Sequence, residues 1–198
     1  MTSMDDRMAD FPVDPLFLER WSPRAFDKSA ITEHDLMTLF EAARWAPSSY
    51  NAQPWRFVFA LRDTPSWTRF LDLLKRFNRS WAANAAAIIF VISDRMIQAA
   101  GDVEPSPSRS HSFDAGAAWA LLALQATRLG LHTRGMVGVD FERARAELAV
   151  PDRFQIEMAV AVGRRANESI LPSNLREREK PTGRIQIAEF AFEGRMRV

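Results

Sequence analysis

Two arginines and a serine lie close together in the segment RWSPRAF, which spans residues 20–26. Arg20, Ser22 and Arg24 place two guanidinium groups and a hydroxyl on one short stretch, and Pro23 stiffens the chain between them. Guanidinium groups present N–H donors in a planar arrangement that suits phosphate and carboxylate oxygens. The segment is therefore a candidate anion-binding site. Its simpler interpretation is a solvated turn, because exposed charged side chains often contribute little.

A polar loop, PSSYNAQP, spans residues 47–54. It offers neutral hydrogen-bonding groups, while its two prolines restrict the backbone. Such a loop can recognise the edge of a heterocycle without adding charge. The alternative is a connection between a helix and a strand whose polar groups satisfy its own backbone. The candidate binding residues in this loop are Pro47, Ser48, Ser49, Asn51 and Gln53.

Two further features are candidates for a binding site. Gly135 and Gly138 allow either strand bulges or a close approach of the backbone to a flat ligand. Arg184 follows a run of mixed charge and is either an exposed tail residue or an anion ligand. The chain has no GxGxxG fingerprint and no P-loop motif, so neither type of nucleotide site is predicted.

The composition excludes several classes of protein. The 198 residues include 26 Lys and Arg against 25 Asp and Glu, which predicts no general attraction to nucleic acid or to an anionic membrane. The absence of cysteine excludes disulfides and thiolate nucleophiles. The three histidines lack metal-ligand spacing, so no metal site is predicted. A polar N-terminus and short apolar runs predict a cytoplasmic protein without a membrane span.

The spacing of apolar residues predicts an α+β domain with three or four strands between helices. We expect a flexible arm over residues 1–15, a single domain over 16–198 and a lid-like loop over 94–112. The second predicted helix begins with the capping spacing Thr32-x-x-Asp35. Helices are predicted at 16–20, 32–46, 66–77, 113–129 and 141–149, and strands at 55–61, 87–93, 131–139, 154–162 and 185–192, the last away from the main body.

Together these segments resemble the nitroreductase family of FMN enzymes, over roughly residues 17–190. The resemblance implies a mixed sheet flanked by helices and an interlocked homodimer with FMN at its interface. It also implies that a C-terminal extension, about residues 164–198, embraces the partner subunit. The similarity lies in RWSPRAF (20–26), FEAARWAPSSYNAQPWRFVFA (40–60), GAAWALLALQATRLGLHTRGMVG (116–138) and REREKPTGR (176–184).

The resemblance assigns cofactor-binding roles to the arginine segment. It implies that Arg20 and Ser22 contact the phosphate and ribityl part of FMN, with Trp21 between them in the same binding segment. Arg24 is the expected catalytic residue, near N1 and the C2 carbonyl of the ring. Arg184 is expected to pair with the phosphate.

The resemblance also assigns roles to the loop and to the glycine segment. Residues 47–53 are expected to reach the flavin from the other subunit, and Val137 and Gly138 to lie beneath the ring near N5. Val137 stands where the family has a glutamate, which leaves the N5 contact to the backbone. The resemblance leaves open whether NADH or NADPH is the preferred electron donor.

The implied activity is hydride transfer from NADH or NADPH to FMN, followed by reduction of a nitroaromatic, a quinone or a related small acceptor in a ping-pong cycle. A fixed cation such as Arg24 stabilises the negative charge that builds up near N1. Two alternatives remain open. One is a different flavin chemistry on the same fold, such as reductive dehalogenation, flavin fragmentation or enoate-type reduction, and the other is a flavin-binding dimer without enzymatic activity.

Overall fold

The computed structural model describes residues 7–98 and 101–197. The strands are β1 Trp55–Leu61, β2 Ala87–Asp94, β3 Met96–Ile97, β4 Ser106–Pro107, β5 His132–Met136 and β6 Phe154–Gly163. The main sheet has the order β1-β2-β6-β5, and each neighbouring pair is antiparallel. The expected mixed sheet is therefore wrong for the described chain. The physical reason lies in two connections, residues 62–86 between β1 and β2 and residues 137–153 between β5 and β6. Each leaves and re-enters the sheet at the same end, so the strands that it joins are antiparallel.

The helices pack on both faces of this sheet. They are α1 Pro15–Glu19, α2 Glu33–Arg44, α3 Trp67–Asp72, α4 Arg76–Ala82, α5 His111–Arg128, α6 Phe141–Glu147 and α7 Ser173–Arg176. The expected capping box opens α2: Thr32 Oγ1 accepts the N–H of Asp35 at 3.0 Å, and the Asp35 carboxylate accepts the N–H of Thr32 at 2.9 Å. The predicted α+β class is confirmed, with four strands in the main sheet of the described residues.

Strand β2 is buried on both faces, as its continuous apolar sequence predicts. Ile88, Phe90 and Ile92 enter one apolar cluster, which includes residues of α3, α4 and α6. Alternate residues of the strand enter a second cluster with α2 and α5. The sheet is thus the middle layer of three, and helix α5 covers the face opposite α3 and α4.

One predicted helix, 66–77, is wrong because the chain breaks into α3 and α4. Between them the N–H of Lys75 donates to the carbonyl of Gly138 at 2.9 Å, and Leu74 forms an isolated bridge with Val139. These long-range bonds draw the backbone out of the helix. They also explain why β5 ends at Met136, before the predicted end at residue 139.

Two other predictions differ from the structure. The lid-like segment 94–112 is shorter than expected, because β2 continues to Asp94, the β3–β4 pair lies inside it and α5 begins at His111. The predicted strand 185–192 is instead a short 3-10 turn, Ile187–Glu189, in which the Glu189 carboxylate accepts the N–H of Gln186 at 2.9 Å. No described strand pairs with it, so the turn satisfies its backbone locally.

The segment 20–26 is attached to the chain that follows β6. Phe26 forms a bridge with Arg165, and the N–H of Ala166 donates to the carbonyl of Ala25 at 2.9 Å. A Cβ atom on Gly163 would lie 2.9 Å from the Phe26 ring, so the glycine permits this close approach. The sheet therefore fixes the position of the arginine segment.

Candidate active site

A hollow of about 470 Å³ brings the two arginine-containing segments together. Five of the expected site residues line it: Arg20, Trp21, Ser22, Arg24 and Arg184. Two of the expected anion ligands, Arg20 and Arg184, thus meet although they are far apart in sequence. The seven cationic residues of the lining are Arg7, Arg20, Arg24, Arg134, Arg178, Lys180 and Arg184, and the acidic one is Glu177. We call this hollow the arginine groove.

The outer end of the arginine groove concentrates positive charge. Arg20 donates to Ser22 Oγ at 3.2 Å, and Arg7 donates to the carbonyl of Arg20 at 3.1 Å. Burial, followed by the charges of Arg7 and Arg184, lowers the pKa of Arg20. Burial and the charge of Arg184 also lower the pKa of Arg7. Three guanidinium groups therefore repel one another here, and a bound anion would relieve that repulsion.

At the inner end, Arg24 is buried against a carboxylate. Arg24 is 7% exposed, and its guanidinium Nη1 lies 3.7 Å from Glu179 Oε2. Glu179 Oε1 accepts the backbone N–H groups of Arg24 and Ala25 at 2.5 and 2.8 Å. Burial lowers the pKa of Arg24, and Glu179 opposes this shift. Within the described chain, Arg24 Nε has no hydrogen-bond partner.

Arg134, on β5, lies beside Arg24. Its guanidinium donates to the carbonyl of Ser22, and its central carbon is 5.7 Å from the ring centroid of Trp81. Burial, followed by the charge of Arg24, lowers the pKa of Arg134 to about 10. The group is still a cation at neutral pH. It supports the arginine segment and adds a second, partly buried positive charge.

Two less polar hollows continue the arginine groove. One, of about 520 Å³, shares Arg20 and Ser22 with it and is otherwise lined mainly by apolar residues, among them Trp119 and Met158. The other, of about 320 Å³, contains Arg24, Arg134, Phe77, Asn78 and residues 135–138. Residues 135–137 line both hollows. Shared lining residues therefore join the three hollows into one surface around residues 22–24, which is cationic in the arginine groove and mainly apolar in the hollow that contains Trp119.

The glycine segment is held rigidly at the second end. The carbonyl of Gly138 accepts the side-chain amide of Asn78 at 3.2 Å in addition to the N–H of Lys75. A Cβ atom on Gly138 would lie 2.3 Å from Asn78 Nδ2, so glycine is required for this approach. Val137 is 72% exposed and forms part of the open surface. The expected pair Val137 and Gly138 thus lies next to Arg24.

The loop 47–53 lies elsewhere in the chain. None of the expected residues Pro47, Ser48, Ser49, Asn51 and Gln53 lines the three hollows. The N–H of Ser49 donates to Asp114 of α5 at 3.2 Å, and the N–H of Gln53 donates to Ser48 Oγ at 3.0 Å. Tyr50, Asn51 and Gln53 have φ values of 52°, 54° and 48°, a left-handed conformation that is costly for side-chain-bearing residues. The loop therefore has a fixed shape, and it lines none of these three hollows.

Sequence reasoning missed Asn78 and Arg134, which line the hollows, and Glu179, which is buried behind the arginine segment. A charged residue immediately before Gly135 in a strand was the available signal for Arg134. Glu179 lies in the charge run REREK, where nothing distinguishes it from its solvated neighbours. Asn78 lies just beyond the end of the helix that was predicted over residues 66–77.

No helix of the described residues is long and apolar enough to cross a membrane. No group of acidic, histidine or cysteine side chains in the same residues has the arrangement of a metal site.

The fold is an antiparallel sheet between helical layers, with a cationic groove beside a glycine-containing segment. The family model described as the nitroreductase family matches residues 18–74 and 66–164, which is more than half of the chain. The chain therefore belongs to the nitroreductase family, and the expected resemblance is confirmed.

Three similar proteins illustrate this membership. The NADH dehydrogenase of Thermus thermophilus is 30% identical, over 76% of this chain and 85% of that protein. The crystal structure of an oxidoreductase containing FMN has a TM-score of 0.94 and 49% identity, covering 100% of this chain and 99% of that chain. The structure of a putative nitroreductase in complex with FMN from Desulfovibrio desulfuricans has a TM-score of 0.70 and 25% identity, covering 94% and 100%.

Proposed function

We propose that the protein is an FMN-dependent oxidoreductase that takes hydride from NADH or NADPH and reduces nitroaromatic, quinone or related small acceptors in a ping-pong cycle. The observation that carries the proposal is the continuous surface of the arginine groove and the glycine segment 135–138. Similar proteins support it, since two contain FMN and another is named an NADH dehydrogenase. NADH and NADPH are cytoplasmic electron donors, so we also propose a cytoplasmic location.

The residues of this surface fit FMN. The guanidinium groups of Arg7, Arg20 and Arg184 repel one another, and a phosphate dianion would offset their charges. The buried Nε of Arg24 lacks an acceptor within the described chain, and a ring carbonyl or ring nitrogen could supply one. The cationic end thus suits the phosphate, and the end that contains Arg24 and the glycine segment suits the ring.

We assign the roles of the chain's own residues accordingly. Arg20, Ser22 and Arg184 bind the phosphate and ribityl part, with Trp21 in the same segment, and Arg24 stabilises negative charge at the ring edge. When bound, FMN supplies hydride chemistry, because its ring accepts two electrons and a proton and then releases them to an acceptor.

The glycine segment would complete the ring end of the site. Val137 and Gly138 would lie beneath the ring near N5, and the hydrogen bonds to the Gly138 carbonyl keep this backbone in place. Because Val137 is apolar, the contact near N5 would be left to the backbone.

We further propose that the working form is an interlocked homodimer in which residues 47–53 of the second copy complete the site. The loop does not line the groove of its own chain, and Asn51 and Gln53 are exposed. Exposed apolar side chains on both terminal segments provide a surface for the second copy, with the extension 164–198 embracing it. They are Met8, Phe11, Val13, Ile185, Ile187 and Phe190.

The absorbance spectrum of the purified protein tests the cofactor, and anaerobic titration with NADH and then NADPH tests the donor. We expect a yellow protein that is bleached by one of the two donors and reoxidised by a nitroaromatic or a quinone. A colourless protein that does not bind added FMN would overturn the proposal. Loss of flavin absorbance under oxygen without recovery would indicate flavin fragmentation instead.

The proposed role of Arg24 has its own test. We expect Arg24→Ala to lower the reduction potential of bound FMN and to slow hydride transfer, because the cation at the ring edge is lost. Stopped-flow reduction of the FMN-loaded variant measures the rate, and a wild-type rate would contradict this role.

A further inference from the structure

Three charged side chains lie close together: Arg24 of the arginine segment, Arg134 and Glu179. We call them the charge triad. The side chains of Arg24 and Glu179 are 8% and 1% exposed. Arg134 reaches the same place from the edge strand β5, between the carbonyl of Ser22 and the ring of Trp81. The triad thus combines two cations with one carboxylate and has an excess of one positive charge.

The bonds of Glu179 differ from those of an ordinary ion pair. Its Oε1 is occupied by the backbone N–H groups of Arg24 and Ala25, while Oε2 is 3.7 Å from the Arg24 guanidinium. Within the described residues, Glu179 Oε2 and Arg24 Nε are both buried without a hydrogen-bond partner. The carboxylate therefore fixes the backbone of Arg24 firmly and neutralises its side chain only in part.

Both cations of the charge triad face the hollow that contains the glycine segment 135–138. Charges in a poorly solvated site act strongly on any charge that appears beside them. The magnitude of the positive excess at this end of the groove depends on Glu179 as well as on the two arginines.

We infer that the charge triad sets the reduction potential of the flavin. Arg24 raises the potential, Glu179 is a positioning residue that limits this effect, and Arg134 is a second cation that raises the potential again. The inference rests on the proposed function. Reduction adds two electrons and one proton as hydride, so the ring becomes more negative by one charge. A positive excess favours that reduced form, and Glu179 limits how strongly it does so.

A purely structural role for Glu179 predicts something different. As a clamp between the C-terminal segment and residues 24–25, it would affect folding and FMN affinity, and the reduction potential would not change. The isosteric change Glu179→Gln separates the two roles, because the side-chain carbonyl can still accept both backbone N–H groups while the negative charge is removed.

The experiment measures the potential of the FMN-loaded protein by dye-coupled anaerobic reduction. We expect Glu179→Gln to raise the potential by about 30 mV, which corresponds to tenfold tighter binding of reduced relative to oxidised FMN. Arg134→Gln should lower it by a similar amount, and the double variant should return it near the wild-type value. Arg134→Lys, which keeps the charge, should stay closer to wild type than Arg134→Gln.

A matched control is Glu147→Gln, which removes the carboxylate of an exposed ion pair with Arg143 on α6. Its potential should equal that of the wild type. Unchanged potentials in Glu179→Gln and Arg134→Gln, or shifts of both in the same direction, would overturn the inference. If Glu179→Gln fails to fold, the difference between Arg134→Gln and Arg134→Lys decides it. Failure of the wild type to bind FMN would instead overturn the proposed function.

Discussion

The arginine groove and the loop 47–53 differ in charge, in burial and in the bonds that hold them. The groove is cationic and partly buried, and long-range bonds from Glu179 and Arg134 hold it in place. The loop is neutral and largely exposed, and local bonds, left-handed backbone and one bond from Ser49 to Asp114 of α5 give it its shape. One chain thus forms the cationic groove, and the neutral loop contributes no residue to its lining.

The difference between the groove and the loop can be tested by measuring the affinity for FMN and by testing whether a second copy brings the loop to the site. If the loop belongs to the same site, a second copy must bring it there, and its contribution should be smaller because neutral hydrogen bonds are weaker than charged ones. If it has no part in the site, changes in it should leave FMN binding unaltered.

The largest expected effect is that of removing a groove cation. We expect Arg20→Ala to weaken FMN binding about 100-fold and Asn51→Ala about fivefold to tenfold, from the relative strengths of charged and neutral hydrogen bonds. Quenching of FMN fluorescence on titration measures both dissociation constants. Arg69→Ala, at an exposed arginine of α3, is the control and should bind as the wild type does. Equal losses for Arg20→Ala and Asn51→Ala would remove the contrast between the two regions.

A mixed dimer sharpens the comparison further. Chains carrying Arg20→Ala and chains carrying Asn51→Ala are tagged differently, co-expressed and isolated as heterodimers. If each site combines the groove of one chain with the loop of the other, one site carries both changes and the other carries neither. Half of the sites should then bind FMN with wild-type affinity. A titration without that component would show that loop and groove do not combine across subunits.

The sequence predicted local structure well where short-range signals were strong. The capping box at Thr32 and Asp35, the β1 bounds at residues 55–61 and the buried strand near Ile89 all follow from spacing and side-chain type. The break between α3 and α4 could not be predicted, because the bond from Lys75 to Gly138 joins distant parts of the chain.

The candidate site divides in the same way. Arg20 and Arg24 could be predicted as site residues because two guanidinium groups lie in one short segment. The structure brings them together with Arg184. Glu179 could not be singled out, since only the fold turns it inward while its neighbours in REREK stay near solvent. Which chain's loop meets which groove is a property of assembly, and no pattern within one chain encodes it directly.

The two glycines of the ring end provide a smaller, paired test. A Cβ atom on Gly138 would collide with Asn78 Nδ2 at 2.3 Å, whereas one on Gly135 would meet the flexible end of Met158 at 2.9 Å. We expect Gly138→Ala to weaken FMN binding roughly tenfold and Gly135→Ala less than about threefold, since a flexible side chain can move aside. In an Asn78→Ala background the added cost of Gly138→Ala should fall. An unchanged cost would mean that Asn78 is not the obstacle.

The smallest expected effect concerns His132, whose pKa responds first to burial and then to nearby arginine charges. Burial, followed by the charges of Arg165 and Arg20, lowers the pKa of His132, while an unfolded histidine titrates near 6.5. The unfolded chain therefore binds more protons below that pH. The resulting contribution to stability is fully present above about pH 6.5 and is lost as the pH falls toward the lowered value.

Denaturant unfolding between pH 7 and 5 measures this slope. We expect His132→Gln to flatten it, with His34→Gln at an exposed position of α2 as the control. Bound FMN should also flatten it, because a phosphate beside Arg20 offsets the charge that disfavours protonation of His132. Since the loop 47–53 contains no titratable group apart from Tyr50, its variants should leave the slope unchanged. A slope that responds to Asn51→Ala but not to FMN would reverse the assignment of the two regions.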